Sequence, residues 1–150
     1  MGVLLPVGRV TIPRRIVHAV DDNIATEHPR EAGGFLACER RDGRLHATGH
    51  VPLPNEAADP ERRFVATVDE RAPSEPRICY HSHTSASTPS GLTDIDRRMI
   101  PERYALVVFA PRGDPHSYRL FRRGLLRWRE LPVGHTRSGP GEWHPLPRLS

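Results

Sequence analysis

Two histidines separated by a single residue are the most chemically suggestive feature of the sequence. His81 and His83 follow the apolar run at residues 77–80, which is typical of the end of a buried β-strand. Because side chains alternate between the two faces of a strand, both imidazoles are expected to point the same way. Two imidazoles on one face can bind a metal ion, although such a pair more often binds none. A third ligand is needed to support a metal site.

The segment after the histidines predicts a short helix that carries candidate carboxylate ligands. Thr93 is a typical N-cap residue, and Asp94 and Asp96 fall in the first turn. We expect Asp94, at the mouth of the helix, to return to the imidazoles. Asp96 is the rival ligand, but two helical positions rotate it by about 200°, so it is expected to cap the helix instead. Two His and one carboxylate with an open fourth position form a catalytic zinc ligand set.

A hydrolytic zinc site also needs a group that takes up a proton and passes it on, and Glu is the usual choice. Glu31 is the candidate, because it begins a predicted strand that follows a helix. It precedes Ala32, Gly33 and Gly34, whose small side chains let a backbone or a substrate come close. Taken alone, a Glu in this position is more often a solvated loop charge.

Three segments in this order resemble the JAMM (MPN+) zinc metalloproteases. They are residues 31–36 (Glu-Ala-Gly-Gly-Phe-Leu), residues 55–64 (Asn-Glu-Ala-Ala-Asp-Pro through Phe), and His81-Ser82-His83 with Asp94. The resemblance extends over about residues 3 to 130. It implies an α/β fold with a cytidine-deaminase-like core and a mixed β-sheet flanked by helices, in which His81, His83 and Asp94 hold Zn²⁺ and Glu31 is the catalytic acid/base. Base deamination is not expected, because the chain lacks the CxxC zinc motif of the deaminases.

The chain departs from the family pattern at one position. That pattern has seven residues after the second His, then Ser, two further residues and Asp. The span from His83 to Asp94 fits, but the Ser position falls on Gly91, one residue after Ser90. In the family this Ser stabilises the oxyanion, a contact whose loss costs about 10²- to 10³-fold in rate. We expect a loop adjustment to let Ser90 take the role; otherwise the enzyme is slow, altered in substrate or inactive.

The resemblance implies a zinc-dependent peptidase or isopeptidase. The expected partner is a small ubiquitin-like or sulfur-carrier protein with a Gly-Gly tail, since Thr84 after His83 resembles bacterial members that trim sulfur carriers. Such a tail can bind by adding a strand to a sheet edge. The alternatives are an impaired scaffold or binding module and a zinc hydrolase of a small-molecule amide. A homodimer is also compatible with the sequence.

The remaining periodicity predicts a mixed α and β domain over residues 1–133 and an extended tail over residues 134–150. A helix is expected from Thr11 as N-cap to about Thr26, with one apolar face. Gly-containing turns indicate a β-hairpin over residues 34–53. The other expected β elements are residues 3–10, an edge element at 63–67, the strand bearing the histidines, and strands at 104–110, 117–122 and 125–131.

Composition excludes several classes of protein. The 150 residues suit one domain, and no apolar run is long enough to cross a bilayer. The N-terminus lacks the features of a signal peptide, so a cytoplasmic protein is expected. Two Cys are too few for a disulfide framework. The formal charge of +4 comes from Arg residues scattered among acids without a nucleic-acid motif, so neither nucleic acid nor a membrane is an expected partner.

Overall fold

A mixed nine-stranded β-sheet organises the protein in the computed structural model, which describes residues 6–137 and 142–150. The strand order is β7-β6-β5-β4-β2-β3-β1-β8-β9. Neither helix within these residues is long and apolar enough to cross a membrane. The elements are β1 (Arg9–Pro13), α1 (Arg14–Glu27), β2 (Gly33–Arg41), β3 (Arg44–Leu53), β4 (Arg77–His83), α2 (Asp94–Met99), β5 (Tyr104–Phe109), β6 (Ser117–Arg123), β7 (Trp128–Leu131), β8 (Val133–Thr136) and β9 (His144–Pro145).

The predicted hairpin is present as β2 and β3. Its two-residue loop, Asp42 and Gly43, has positive φ at both positions, 52° and 74°, which is the geometry of a type I′ turn. The expected close approach to the glycines also occurs. A β-carbon on Gly34 would overlap the carbonyl oxygen of Val51, so this backbone contact requires glycine.

Helix α1 begins later than the sequence predicts. Thr11 lies in β1 rather than at the N-cap, and Pro13 occupies the N-cap without a side-chain hydrogen bond. The reason is tertiary, because β1 pairs in parallel with both β3 and β8, and this pairing holds residues 9–13 extended. The predicted apolar face is correct: Ile16, Val17, Val20 and Ile24 are all buried in the main core.

Strand β4 lies inside the sheet, antiparallel to β2 and parallel to β5. Four of its last five residues are buried, which matches the predicted buried strand bearing the histidines. The predicted edge element at residues 63–67 forms no strand. It belongs instead to a long loop between β3 and β4, whose side chains contribute to the site described below.

The segment expected to be an extended tail joins the sheet. The boundary predicted after Val133 falls inside β8, and β9 pairs with β8. Leu146 packs in the main core, and the Trp143 Nε1 donates a hydrogen bond of 3.1 Å to the Val10 carbonyl. Residues 138–141 of this segment, and residues 3–5 of the predicted first β element, lie outside the described part of the chain.

Candidate metal centre

Three potential metal ligands meet at the carboxyl end of β4. The Nε2 atoms of His81 and His83 are 3.1 Å apart, and the Asp96 Oδ2 lies 3.3 Å from the first and 3.2 Å from the second. Both imidazoles are buried, and the Asp96 side chain is 17% exposed. As predicted from strand alternation, His81 and His83 point to the same face.

The spacing of these donor atoms suits zinc. Ligand atoms at 2.0–2.1 Å from a tetrahedral Zn²⁺ are separated from one another by about 3.3 Å. The three donor separations, 3.1, 3.2 and 3.3 Å, are close to that value. Imidazole nitrogen and carboxylate oxygen are also the ligand types of catalytic zinc sites with one open position. The residues therefore fit the metal that the resemblance implies.

Asp96, and not Asp94, supplies the carboxylate of this cluster. The Asp94 side chain is 91% exposed and forms a surface ion pair of 3.1 Å with Arg97. The helical spacing correctly predicted that only one of the two carboxylates faces the histidines. The choice of Asp94 as a metal ligand is corrected to Asp96, because position 94 is on the outer side of the first helical turn.

A capping box explains why Asp96 faces the histidines. The Thr93 Oγ1 accepts a hydrogen bond from the Asp96 backbone N–H, and the Asp96 carboxylate accepts one from the Thr93 N–H, each 3.0 Å long. The reciprocal bonds fold the carboxylate back over the start of α2. The predicted cap at the third helical position is thus confirmed, and the same side chain also reaches both imidazoles.

If Asp96 is the carboxylate ligand, the family pattern Ser-x-x-Asp places Thr93 at the position of the Ser. Thr93 lines the groove at the cluster, and nine residues, 84–92, separate it from His83. The loop is therefore two residues longer than the pattern. The Thr93-x-x-Asp96 capping signature was the sequence signal that could have identified both positions.

The cluster is an ion pair in the absence of metal. Burial disfavours ionised Asp96, but hydrogen bonds from His81 and His83 outweigh it and hold its pKa well below the ordinary range. Burial likewise opposes charge on His81, yet the bond to Asp96 and its negative charge raise the pKa of this imidazole. A metal ion would replace the imidazole proton, so binding is expected to release protons.

Glu31 lies beside the cluster because of the pairing between β2 and β4. Ala32 and Ser82 are bonded twice, from the Ala32 N–H to the Ser82 Oγ (2.9 Å) and from the Ser82 N–H to the Ala32 carbonyl (2.8 Å). One residue further along this antiparallel register, Glu31 falls opposite His83. Glu31 is 5% exposed and lines the same groove as the cluster.

The loop between β3 and β4 fixes the Glu31 backbone. The Glu31 N–H donates to the Pro60 carbonyl at 2.7 Å, and the Asn55 Nδ2 donates to the Glu31 carbonyl at 2.9 Å. Asn55 also donates to the Pro60 and Arg63 carbonyls, and its Oδ1 accepts from the Val65 N–H. The sequence singled out this segment as a motif without assigning a role to Asn55.

Burial raises the pKa of Glu31 to about 7, with the charge of Asp96 adding to the shift and the charge of His81 opposing it. A carboxyl group with this pKa can both accept and donate a proton near neutral pH. These properties suit an acid/base residue, and the catalytic role of Glu31 stays a prediction.

Ser90 does not reach the cluster. Its hydroxyl donates to the Leu149 carbonyl at 2.8 Å and accepts from the Arg119 Nη1 at 3.2 Å. The hydroxyl therefore uses its proton and an acceptor lone pair in contacts on the side of the loop that faces the C-terminal segment. Ser90 does not line the groove, so its predicted role at an oxyanion is corrected by this placement.

A groove of about 390 Å³ contains the cluster, Glu31 and Thr93. Its walls are mainly apolar and include Phe64 from the β3–β4 loop. Val65 and Val68 from this loop and Ile95 and Met99 from α2 are 51%, 51%, 41% and 70% exposed. The groove is thus open to solvent along one side, with apolar side chains at its rim.

This fold and ligand cluster define a JAB/MPN-type domain. The profile of the family described as prokaryotic homologs of the JAB domain matches residues 13–123, which is most of the chain. The chain therefore belongs to this family, and the resemblance identified from the motifs is confirmed. A comparison with curated proteins gave no match.

Several solved structures share the fold. A protein from Desulfitobacterium hafniense is 18% identical with a TM-score of 0.62, covering 86% of this chain and 94% of its own. A Salinibacter ruber protein is 16% identical with a TM-score of 0.59, covering 93% and 99%. A JAB1/MPN domain protein from Archaeoglobus fulgidus is 21% identical with a TM-score of 0.51, covering 83% and 97%. At these identities the likeness establishes a mixed-sheet JAB/MPN-like fold; the cytidine-deaminase-like core stays a prediction.

Exchanging each aspartate for its amide tests the third ligand. Asp96→Asn is expected to weaken zinc binding by at least about 100-fold, because an amide is a poor substitute for an anionic ligand. Asp94→Asn is the matched control and should bind zinc like the parent protein. Elemental analysis and titration against a competing chelator measure both. Normal zinc binding by Asp96→Asn together with loss in Asp94→Asn would restore the sequence-based assignment.

Glu31→Gln is expected to stabilise the zinc-free protein at pH 8 but not at pH 4. The folded-state pKa of Glu31 lies above the ordinary 4.5, so the folded protein retains a proton that the unfolded chain loses between pH 4.5 and 7. Wild-type stability therefore falls through that window, by roughly 2 to 3 kcal/mol. Gln cannot ionise and avoids this loss. Urea unfolding at both pH values measures the effect, with Glu27→Gln, a half-buried carboxylate paired with Arg30 at the surface, as control; equal effects at both pH values would contradict the buried-carboxyl account.

Proposed function

We propose that this protein is a zinc-dependent peptidase or isopeptidase. The observation that supports the proposal most strongly is the cluster of His81, His83 and Asp96 with zinc-compatible spacing, adjacent to the buried carboxyl group of Glu31. Membership of the JAB family agrees with this reading. The proposed site of action is the cytoplasm.

A zinc ion held by the three ligands would supply Lewis acidity, which polarises a carbonyl and lowers the pKa of a water molecule. Glu31 accepts a proton from the attacking water. It then donates this proton to the leaving amine as the amide C–N bond breaks, so no external acid is needed. The burial of Glu31 raises its pKa to about 7 in the metal-free protein, which suits a group that both accepts and donates a proton.

Thr93 is the proposed replacement for the oxyanion serine. Its Oγ1 accepts from the Asp96 N–H, which leaves the hydroxyl hydrogen available to donate into the groove. It also stands three residues before the ligand Asp96, as the family Ser does before its Asp. We assign to this hydroxyl the stabilisation of negative charge on the carbonyl oxygen.

The proposed substrate is the C-terminal tail of a small ubiquitin-like or sulfur-carrier protein ending in Gly-Gly. The open side of the groove supports a chain that extends beyond the site, whereas a hydrolase of small amides would need an enclosed cavity. Val65, Val68, Ile95 and Met99 supply apolar contact area at the rim. An adjacent Gly-Gly pair would let the substrate backbone approach the cluster closely.

Metal removal and Glu31→Gln are both expected to abolish cleavage of such a tail. Chelation removes the Lewis acid, and added zinc should restore activity. Glu31→Gln removes the proton carrier, so kcat is expected to fall by about 10²- to 10⁴-fold while zinc stays bound. The assay follows release of the tail fragment by mass spectrometry from a panel of carrier proteins with short C-terminal extensions.

Glu27→Gln, at the C-terminal end of α1 and outside the groove lining, is the control for this assay. Turnover that survives both chelation and Glu31→Gln would rule out the proposed chemistry. Zinc binding with no turnover on any carrier would favour the impaired scaffold. Cleavage of free small amides as fast as of protein tails would favour the small-molecule hydrolase.

Thr93→Val is expected to lower kcat by about 10²- to 10³-fold, because it removes the hydroxyl that donates to the oxyanion. Thr93→Ser keeps the hydroxyl and should keep most of the rate. Loss of the cap also costs about 1 kcal/mol of stability, which thermal melting separates from the kinetic effect. Thr88→Val, another threonine lining the groove, is the control. Equal rates for Thr93→Val and wild type would rule out the oxyanion role.

A further inference from the structure

The loop that connects β4 to α2 contacts the metal cluster on one side and the C-terminal segment on the other. On the cluster side, the His83 Nδ1 is 2.7 Å from the Pro89 carbonyl oxygen. This geometry requires an Nδ1–H donor, because a carbonyl oxygen only accepts. It leaves Nε2, which contacts Asp96 in the metal-free protein, as the nitrogen whose lone pair a metal ion at the cluster can use. A metal ligand needs this tautomer, and the hydrogen bond at the other ring nitrogen selects it.

The residue after Pro89 connects this loop to the end of the chain. The Ser90 hydroxyl donates to the Leu149 carbonyl at 2.8 Å, and the Leu149 N–H donates to the Ser117 Oγ on β6 at 2.9 Å. The Tyr118 N–H also donates to the Pro147 carbonyl at 2.8 Å. Residues 147–149, which we term the C-terminal latch, are therefore bonded to both β6 and the loop. Ser90 and Ser117 are buried, so losing these bonds leaves polar groups unsatisfied.

A second set of contacts holds the latch in place. Arg119 donates to the Ser90 hydroxyl at 3.2 Å and to Glu130 at 2.7 Å, and Arg148 of the latch donates to the same carboxylate at 2.6 Å. Burial disfavours the charge on Glu130, but the two guanidinium groups outweigh this and lower its pKa to about 2. The bridge is thus charged at neutral pH. Gly91 packs tightly against the Arg119 side chain, since a β-carbon on Gly91 would lie 3.0 Å from the Arg119 Nη1.

We propose that the C-terminal latch, acting through Ser90, is a positioning element of the metal centre: it fixes the Pro89 carbonyl and thereby the metal-binding tautomer of His83. This inference rests on the proposed use of His83 as a metal ligand. Neither Ser90 nor residues 147–149 line the groove, so they act on the site only through the loop.

Three full-length variants test the latch. Ser90→Ala removes the bond to Leu149, Ser117→Ala removes the bond that holds Leu149 from the other side, and Ser90→Thr restores a hydroxyl. Ser87→Ala is the matched control, because Ser87 lies in the same loop but its hydroxyl pairs only with Ser85 in the described structure. All are compared with wild type for melting temperature, so that a folding defect is detected directly.

The first measurement is the zinc dissociation constant by chelator competition. Ser90→Ala and Ser117→Ala are expected to raise it about 10-fold, the lower end of the range for lost outer-shell bonds. Ser90→Thr should restore most of the affinity, and Ser87→Ala should match wild type. The second measurement is the His83 tautomer in zinc-free protein at alkaline pH, from long-range ¹⁵N–¹H NMR correlations. Wild type should show Nδ1–H, and the two alanine variants a mixture.

The outcomes separate this inference from the proposed function. Unchanged zinc affinity and an unchanged His83 tautomer in folded Ser90→Ala and Ser117→Ala, even with lower melting temperatures, would overturn the positioning role and leave only a structural one. Absence of zinc binding by wild type would overturn the metal site. In that case the tautomer measurement still decides whether the latch orients His83.

Discussion

The Asp96 carboxylate accepts hydrogen bonds from the Thr93 backbone and from two buried imidazoles, and the arrangement of β4, α2 and the loop between them depends on these bonds. A carboxylate placed among neighbours of low polarity is stable only when charged or polar partners satisfy it. Here the N-terminus of α2 and the imidazoles supply them. The bonds that cap the N-terminus of α2 therefore also help to hold the three potential ligands at separations that suit one metal ion.

The site draws its members from segments that are distant in sequence but adjacent in the sheet. Pairing of β2 with β4 sets Glu31 opposite His83, and the β3–β4 loop, organised by Asn55, holds the Glu31 backbone from the other side. Strand pairing is rigid compared with loop packing, so the sheet sets the position of Glu31 relative to the ligand cluster. The β3–β4 loop and α2 add the apolar walls of the groove, several of whose side chains are exposed to solvent.

Much of this fold follows from local patterns in the sequence. The Asp-Gly turn predicts the β2–β3 hairpin, and the apolar run at 77–80 predicts a buried strand. Ile16, Val20 and Ile24 recur at every fourth position, which predicts an amphipathic helix. Local sequence patterns gave wrong predictions where pairing with other strands of the sheet determined the backbone conformation. Thr11 is a good N-cap, yet parallel pairing on both sides of β1 kept it in a strand, and residues 134–150, irregular in sequence, add two strands.

For the site, the sequence alone determined the two imidazoles, because strand alternation fixes their common face. The family motif marked Glu31 as the expected proton carrier, a role that stays a proposal. The sequence also determined that a carboxylate from the start of α2 would join them. The Thr93-x-x-Asp96 spacing was a local signal for Asp96, but the tertiary structure decided between the two carboxylates, since Asp94 and Asp96 are the same residue type and differ in the direction they face around the helix and in their contacts. Likewise, the Ser90 hydroxyl turns to Leu149, 59 residues later in the chain. No local pattern encodes a contact across that separation, because it depends on how β6 and the C-terminal segment pack against the loop.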